Sequence, residues 1–415
     1  MTPLITPTVP NQRIELLDAL RGFAIFGILM VNMALFYNPV TSMLLGYTGS
    51  DSTLNLIFEL FIKFFFEGKF YVLFSMLFGY GFWMFINRNT NDGKSIIPTF
   101  RLRVFFLLLF GISHVVLLWA GDILVFYSIL GFILILFRKK SDRGLIKWAV
   151  WLALIPSIVV LIGWGFYLLA SIHPESKEAF EAGMQGNATQ MRQLAEESAI
   201  AYSSGSFSEI VNARLKEYSN IFFGGILVFY PVVLAMFLFG AWAARKGIIA
   251  YYQQHLPFFR KALVWGLAIG IIANFLFTYA YTQAPLGELG LWGFLGTSMH
   301  TLGGVMFCLV YVSAIVLLIN KGKLKKFSSL MVPVGRMALT NYLLHSIICT
   351  TLFLPYGFGL FGKFAAWQGV LLTVVFFSLQ IPFSRFWLNR FNYGPFEWLW
   401  RSLTYLKVLP FVKKN

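Results

Sequence analysis

At 415 residues, with 58% hydrophobic, 18% aromatic and 12% charged side chains and a mean hydropathy of +0.72, the chain is too apolar for a soluble globular protein. Its formal net charge of +16 does not point to nucleic acid, because basic nucleic-acid binders carry Lys and Arg on a solvated face and lack such long apolar runs. Cys308 and Cys349 both lie inside apolar runs, which argues against a disulfide framework.

A polar, Pro-rich lead precedes the first apolar run, and no small-residue cleavage site closes that run, so it reads as a retained helix. A hydrocarbon core about 30 Å thick takes about 20 residues of helix, and a window of that length predicts about ten spans. They fall at 20–38, 68–87, 102–120, 123–137, 147–171, 221–243, 262–282, 294–319, 334–354 and 367–387. The expected fold is an all-α polytopic integral membrane protein, one transmembrane domain over 1–415. The fourth span is short, and the fifth contains Pro156, which neighbouring helices can accommodate. Residues 50–67, with Ser50 or Ser52 as N-cap and Glu59, Lys63 and Glu67 on one face, predict a helix lying at the interface. The acidic stretch 172–220 has helical patterning near 174–182, 188–201 and 206–218, and reads as an outer helical cap or as a solvated loop. Residues 388–415 predict an amphipathic cytoplasmic tail, with Glu397 and Arg401 at i and i+4. No internal repeat is visible.

Five stretches place polar groups where chemistry could use them. In the first span, Asp18 and Arg21 share a helical face, and Arg21 can offer its guanidinium to a phosphate or carboxylate. Asn32 returns to that face about 16 Å further along. In the second, Gly79 and Gly81 favour close helix packing, while Glu67 and Lys69 sit at the outer entrance, either paired with each other or facing an incoming substrate. The third carries His114 and Asp122 amid apolar residues. An ionised Asp inside a membrane costs about 2.5–3.5 kcal/mol on insertion scales, so it demands a partner, and a direct pair requires the chain to turn at Ala120–Gly121. The fourth sets Arg336 at the mouth of the ninth span with Asn341 and His345 above it; His300 is a weaker candidate in the eighth. The fifth is the tail, with Tyr393, Gly394 and Pro395 as its turn. No metal-ligand spacing and no Gly-x-Ser-x-Gly nucleophile motif occur.

These motifs are the first-span stretch ending in Gly27-Ile-Leu-Met-Val-Asn32, then Lys69-Phe-Tyr-Val-Leu-Phe-Ser-Met-Leu-Phe-Gly79, and His114 with Gly121-Asp-Ile-Leu124. They continue with Gly335-Arg-Met-Ala-Leu-Thr-Asn-Tyr-Leu343 and Tyr393-Gly-Pro-Phe-Glu-Trp-Leu-Trp-Arg401. Together they resemble the bacterial YeiB-type membrane proteins, the domain of unknown function 418, from residue 13 to residue 405. Through Leu17-Asp-Ala-Leu-Arg-Gly22 and Tyr342-Leu-Leu-His345 the chain is also distantly similar to the transmembrane acyltransferases. That likeness implies a cytoplasmic acyl donor, usually acyl-CoA, and an acceptor on the other side. The superfamily places a key His near the end of the first span, where this chain has Asn32; YeiB-type proteins more often carry Gln where it has His345.

The leading functional expectation is therefore an acyltransferase of the bacterial plasma membrane. Arg21, Arg103 and Arg336 would bind acyl-CoA, and His114, supported by Asp122, would act as base. Asn32 and Asn341 would stabilise the oxyanion, and Glu67, Lys69, His345 and His300 would contact substrate. The expected partners are membrane lipids, a small-molecule, glycan or lipid acceptor and a second copy of the chain, with no metal and no nucleic acid. The alternatives are a proton-coupled transporter or flippase of an anionic or amphipathic molecule, with His114 and Asp122 as relay, and a non-catalytic envelope protein. Orientation follows from charge: of the 33 Lys and Arg, all but Lys63, Lys69, Lys177, Arg192, Arg214, Lys216 and Lys363 fall on one side, which the positive-inside bias makes cytoplasmic together with both termini. With Cys308 and Cys349 replaced by Ser, a membrane-impermeant maleimide added to intact cells should label a Lys177→Cys variant and spare a Lys323→Cys variant. The opposite pattern would invert the topology.

Overall fold

The computed structural model describes residues 14–46, 52–87 and 95–413, apart from the side chains of residues 43 and 44. Arg13, Ser50, Arg88, Lys94 and Lys414, which entered the sequence reading, lie outside the described residues. The order of helices is α1 (Glu15–Tyr37), α2 (Thr53–Phe65), α3 (Lys69–Ile86), α4 (Ile97–Leu117), α5 (Leu124–Leu134), α6 (Asp142–Ala170), α7 (Pro174–Ser204) and α8 (Phe207–Val228). There follow α9 (Tyr230–Arg245), α10 (Leu256–Gln283), α11 (Leu291–Asn320), α12 (Lys325–Arg336), α13 (Ala338–Phe353), α14 (Ala366–Arg390) and α15 (Pro395–Thr404). No β-strand occurs among the described residues; the one sheet-like contact is an isolated bridge between Phe391 and Val412.

The protein is an all-α polytopic membrane protein. Among the described residues seven helices are long and apolar enough to cross a membrane, or eight with α8 and α9 taken as one bent span, while α5 and α13 are shorter apolar helices. The polarity of the bundle is that of a body solvated by lipid. Trp151, Phe166, Trp265, Phe275 and Leu379 are all more than 60% exposed, whereas Asp122, Lys69, Glu217 and Arg214 are each 3% exposed or less.

Close backbone approach sets the packing. α3 lies on α9, and a Cβ built at Gly79 would meet the Phe237 carbonyl oxygen at 1.9 Å, while one at Gly240 would meet that of Met76 at 1.9 Å. The helix axes can come this near only because each presents a bare backbone to the other. Gly81, by contrast, faces open space beside Arg21.

Three expectations are corrected, those for the sixth span, the ninth span and the tail. The sixth span is two helices bent by 60° at Phe229, because Pro231 lacks the N–H and crowds the carbonyl four residues earlier. The ninth span breaks at Met337, so α12 packs on α1 and only α13 continues. The helix expected over 50–67 is α2, capped by Ser52; it packs on α10 and α14 and leads through Gly68 into α3. Its apolar residues Leu54, Ile57 and Phe61 are exposed and its Lys63 and Glu67 turn inward, the polarity of a lipid-facing helix. The tail helix α15 does not pair Glu397 with Arg401. Arg401 lies over the Tyr393 ring, and Glu397 turns into the protein.

The outer segment is ordered as two helices, α7 and α8. Ser206 and Glu209 form a reciprocal capping box at the start of α8. Glu217, fully buried, accepts hydrogen bonds from the Thr41 amide (2.9 Å) and hydroxyl (2.7 Å) and from the Tyr202 hydroxyl (2.8 Å). Arg214 donates to the Val116 carbonyl at the end of α4 (2.8 Å). These bonds fasten the segment to the stretch after α1 and to the end of α4. Gly79→Val should abolish recovery of a monodisperse protein in detergent, since overpacking costs about 1–3 kcal/mol even where neighbours can yield. Gly81→Ala should chromatograph like the wild type, and equal behaviour of the two variants would remove this account of the α3–α9 contact.

Candidate functional site

α4 and α5 form a hairpin whose connection, residues 118–123, holds the central polar pair. α4 ends at Leu117 and the chain reverses through Gly121, where a Cβ would fall 2.2 Å from the Trp119 ring. The reversal brings His114 and Asp122 together: Nδ1 of His114 lies 2.9 Å from Oδ2 of Asp122, and both side chains are inaccessible. Oδ1 of Asp122 accepts the Val125 amide at 2.8 Å, so the carboxylate also caps the first turn of α5. The other imidazole nitrogen, Nε2, lies 2.7 Å from Oγ of Ser346 on α13. A carboxylate accepts only, so Nδ1 carries the hydrogen in the neutral ring. Nε2 then accepts from the Ser346 hydroxyl. Asp122, His114 and Ser346 thus form one directed line of hydrogen bonds.

Below this line, at the end of the bundle rich in Lys and Arg, a cavity of about 310 Å³ opens between α1, α3, α4, α13 and α15. Arg21, Arg103, Arg336 and Arg401 line it, against the carboxylates of Asp18 and Glu397. The first three are the arginines that the sequence reading assigned to the donor, and they line this one cavity. Arg21 is held by Asp18 at 2.7 Å. Arg103 lies over the Trp400 ring, whose centroid is 3.9 Å from its guanidinium carbon. Arg336 has no hydrogen-bond or ion-pair partner among the described residues, and its Nε is buried. It is fixed there because Gly335 lies against the Asp18 carbonyl, where a Cβ would come within 1.8 Å. Deeper in, the wall is apolar, formed by Ile25, Ile28, Phe74, Leu77 and Phe78, and it ends at Tyr127 and Tyr342. From Arg21 to Ile28 is about 10 Å of helix. The cavity therefore has a cationic mouth and an apolar throat.

Tyr342 is the wall between throat and polar line. Its ring lies 5.3 Å from the His114 imidazole, and its hydroxyl reaches the Gly121 carbonyl at 3.3 Å. On another side His114 faces Trp119 at 6.4 Å, whose indole donates to the Leu35 carbonyl. Leu35 lines a second cavity, of about 580 Å³, with Asn38, Asn55, Glu59, Lys63, Glu67 and Gln368 among its polar walls.

The remaining expected residues divide between this outer region and interhelical packing. Glu67 pairs with Lys63 at 2.8 Å and approaches His300 at 4.0 Å, and Lys69 donates to the Lys63 carbonyl at 2.7 Å. Glu67 Oε1 and His300 Nε2 are buried without hydrogen-bond partners among the described residues. Only Glu67 of these three expected residues lines the outer cavity. Asn341 and His345 lie on the face of α13 turned to α14. The Asn341 amide donates to the Val334 carbonyl and to Ser384, both at 3.0 Å, and His345 meets Gln380 at 2.9 Å. Bound in this way they brace the α12–α13 break rather than line a cavity. Asn32 lines neither cavity and makes no hydrogen bond among the described residues, so the oxyanion roles expected of Asn32 and Asn341 are not supported by position. The sequence reading missed Ser346. Its signal is that Tyr342 and Ser346, four apart, share a face about 80–100° around the helix from His345.

Glu397 fixes the lower wall. Its carboxylate accepts from the amides of Leu339 (2.6 Å) and Thr340 (3.0 Å) and from the Thr340 hydroxyl, closing the first turn of α13 from a different helix. Burial pushes its carboxyl above the ordinary value of 4.5, against the downward pull of these donors.

A family model described as "Protein of unknown function (DUF418)" matches residues 243–407. The chain is 36% identical over 429 residues to the uncharacterised protein YxaH of Bacillus subtilis (strain 168), covering 99% of both. It is 30% identical over 413 residues to YeiB of Escherichia coli (strain K12), covering 97% of this chain and 99% of the relative. It is 26% identical over 412 residues to a 39.9 kDa protein of the amylase 3′ region of Bacillus acidopullulyticus, with 99% of each covered.

Because the folded state raises the Glu397 value, the tail holds most firmly below 4.5 and loosens as pH climbs through the raised value. Amide exchange in residues 395–405 should therefore quicken with pH beyond its intrinsic base catalysis. Glu397→Gln should flatten that excess, and Glu397→Ala should raise exchange at every pH by orphaning two amides at about 1–3 kcal/mol. Excess exchange that is flat in the wild type would remove the role given to this carboxyl.

Proposed function

The chain belongs to the YeiB-like DUF418 family of membrane proteins, and on that footing we propose that it is an acyltransferase of the bacterial plasma membrane. The observation that carries the reading is the cavity with a cationic mouth and an apolar throat, ending one aromatic ring short of a buried His–Asp pair. Arginine forks suit the phosphates of an acyl-CoA, and Arg336, with no partner among the described residues, stands at the cavity wall where it can meet one. The pantetheine arm of that donor lies along Ile25, Ile28, Phe74 and Leu77, which brings the thioester carbonyl at its end toward Tyr342 and His114. His114, oriented by Asp122, takes the proton of an acceptor hydroxyl or amine. The acceptor enters from the outer cavity: Ile28, which lines the first cavity, and Val31, which lines the second, are about 4.5 Å apart along α1.

Two cavities flanking a buried titratable pair also favour a second reading, a proton-coupled transporter or flippase of an amphipathic anion. That reading requires substrate-dependent proton flux into liposomes containing no acyl donor.

Palmitoyl-CoA should bind the purified protein, and Arg336→Ala should weaken binding about 10- to 100-fold, the equivalent of one charge-assisted hydrogen bond at about 1.5–3 kcal/mol. His114→Ala should leave binding intact and abolish acyl transfer. Wild-type affinity in the Arg336 variant, or full transfer in the His114 variant, would sink the assignment.

A further inference from the structure

We propose that Ser346 is a nucleophile and that acyl transfer runs by double displacement through an acyl-serine. The inference rests on the acyl-transfer reading above and deepens it. A base acting directly on an acceptor needs its Nε2 lone pair free to meet that acceptor. Here the lone pair is already occupied by the Ser346 hydroxyl at 2.7 Å, with Nδ1 anchored to Asp122 at 2.9 Å and Asp122 itself held by the Val125 amide. Hydroxyl, imidazole and carboxylate in that order, at those distances, make an activated nucleophile by the geometry of its parts, whatever fold carries them. Ser346 is 1% exposed and His114 2%, so bulk water does not compete for the hydroxyl. Access is from the throat of the arginine cavity: Tyr342, one turn of α13 before Ser346, forms its end wall, and the displacement of that ring joins the two.

The chemistry balances with an acyl thioester as donor. Ser346 Oγ attacks the carbonyl carbon as its proton passes to His114 Nε2. The Oγ–C bond forms, the C–S bond breaks, and the imidazolium returns the proton to the departing thiolate. In the second half the acceptor hydroxyl attacks the acyl-serine, its proton goes to Nε2, and the C–Oγ bond breaks with the proton restored to Oγ. Asp122 is a positioning residue: it fixes the tautomer and touches no reacting atom.

An alkyl fluorophosphonate, which phosphonylates activated serines without needing any donor, tests this directly. Mass spectrometry of the detergent-purified wild type should find the phosphonate on the peptide containing Ser346. The label should be absent from Ser346→Ala, slowed about 100-fold or more by His114→Gln, and accelerated by Tyr342→Ala, which opens the wall. Labelling elsewhere, or undiminished labelling of the His114 variant, overturns the proposal. The wild-type modification site decides the matter even where a variant fails to fold. Palmitoyl-CoA bound through Arg336 with Ser346 unlabelled removes the nucleophile and leaves acyl transfer by direct attack. Ser346 labelled without any palmitoyl-CoA binding supports the nucleophile and removes the donor assignment.

Discussion

The hydrogen bond between His114 and Asp122 is the constraint on which the interior depends. In a medium without water, a carboxylate must find its partners within the protein or become too costly to bury. Asp122 finds two, the imidazole and the Val125 amide, and both exist only because the chain reverses between α4 and α5. The reversal in turn needs a residue with no side chain at Gly121, where the Trp119 ring occupies the space. One buried charge thus dictates a turn, the start of a helix and the orientation of an imidazole.

The same economy governs the rest of the bundle. Glu217 satisfies three donors while tying the outer cap to the segment after α1, and Glu397 closes the first turn of α13 from the tail. Each of these carboxylates joins elements far apart in sequence, and each is buried where a lone charge would be untenable. The exposed apolar surface, meanwhile, is turned outward to lipid, so close backbone approach, as at Gly79 and Gly240, and buried polar contacts together specify which helices meet.

The fold class was legible in the apolar runs, because a hydrocarbon core leaves few other solutions than helices of about 20 residues. The gathering of Arg21, Arg103 and Arg336 was legible for a related reason: Arg21 and Arg103 open α1 and α4, Arg336 closes α12, and charge bias marks the end of the bundle where those helix ends meet. The pairing of His114 with Asp122 was legible only as a condition, a turn at Gly121, which the hairpin fulfils. Ser346 was not legible, because which face of α13 turns to α4 depends on how that helix is rotated. The rotation is set by contacts from α14 and α15 that no local pattern records. For the same reason His345 was assigned to substrate and proves to bond Gln380. The bend at Phe229 had a visible cause in Pro231, yet the window that located the span averaged across it.

The partition around His114 has an electrical meaning. Where one cavity stops at Tyr342 and the other at the wall behind Trp119, the dry dielectric around His114 is thinned to the layer between them. A transmembrane voltage, worth about 2.3 kcal/mol per elementary charge per 100 mV, then drops over that layer rather than across the full bilayer. A charge that crosses that layer travels only a few ångströms but traverses a large share of the field. The rings of Tyr342 and Trp119, on two sides of His114, are the insulation of that layer.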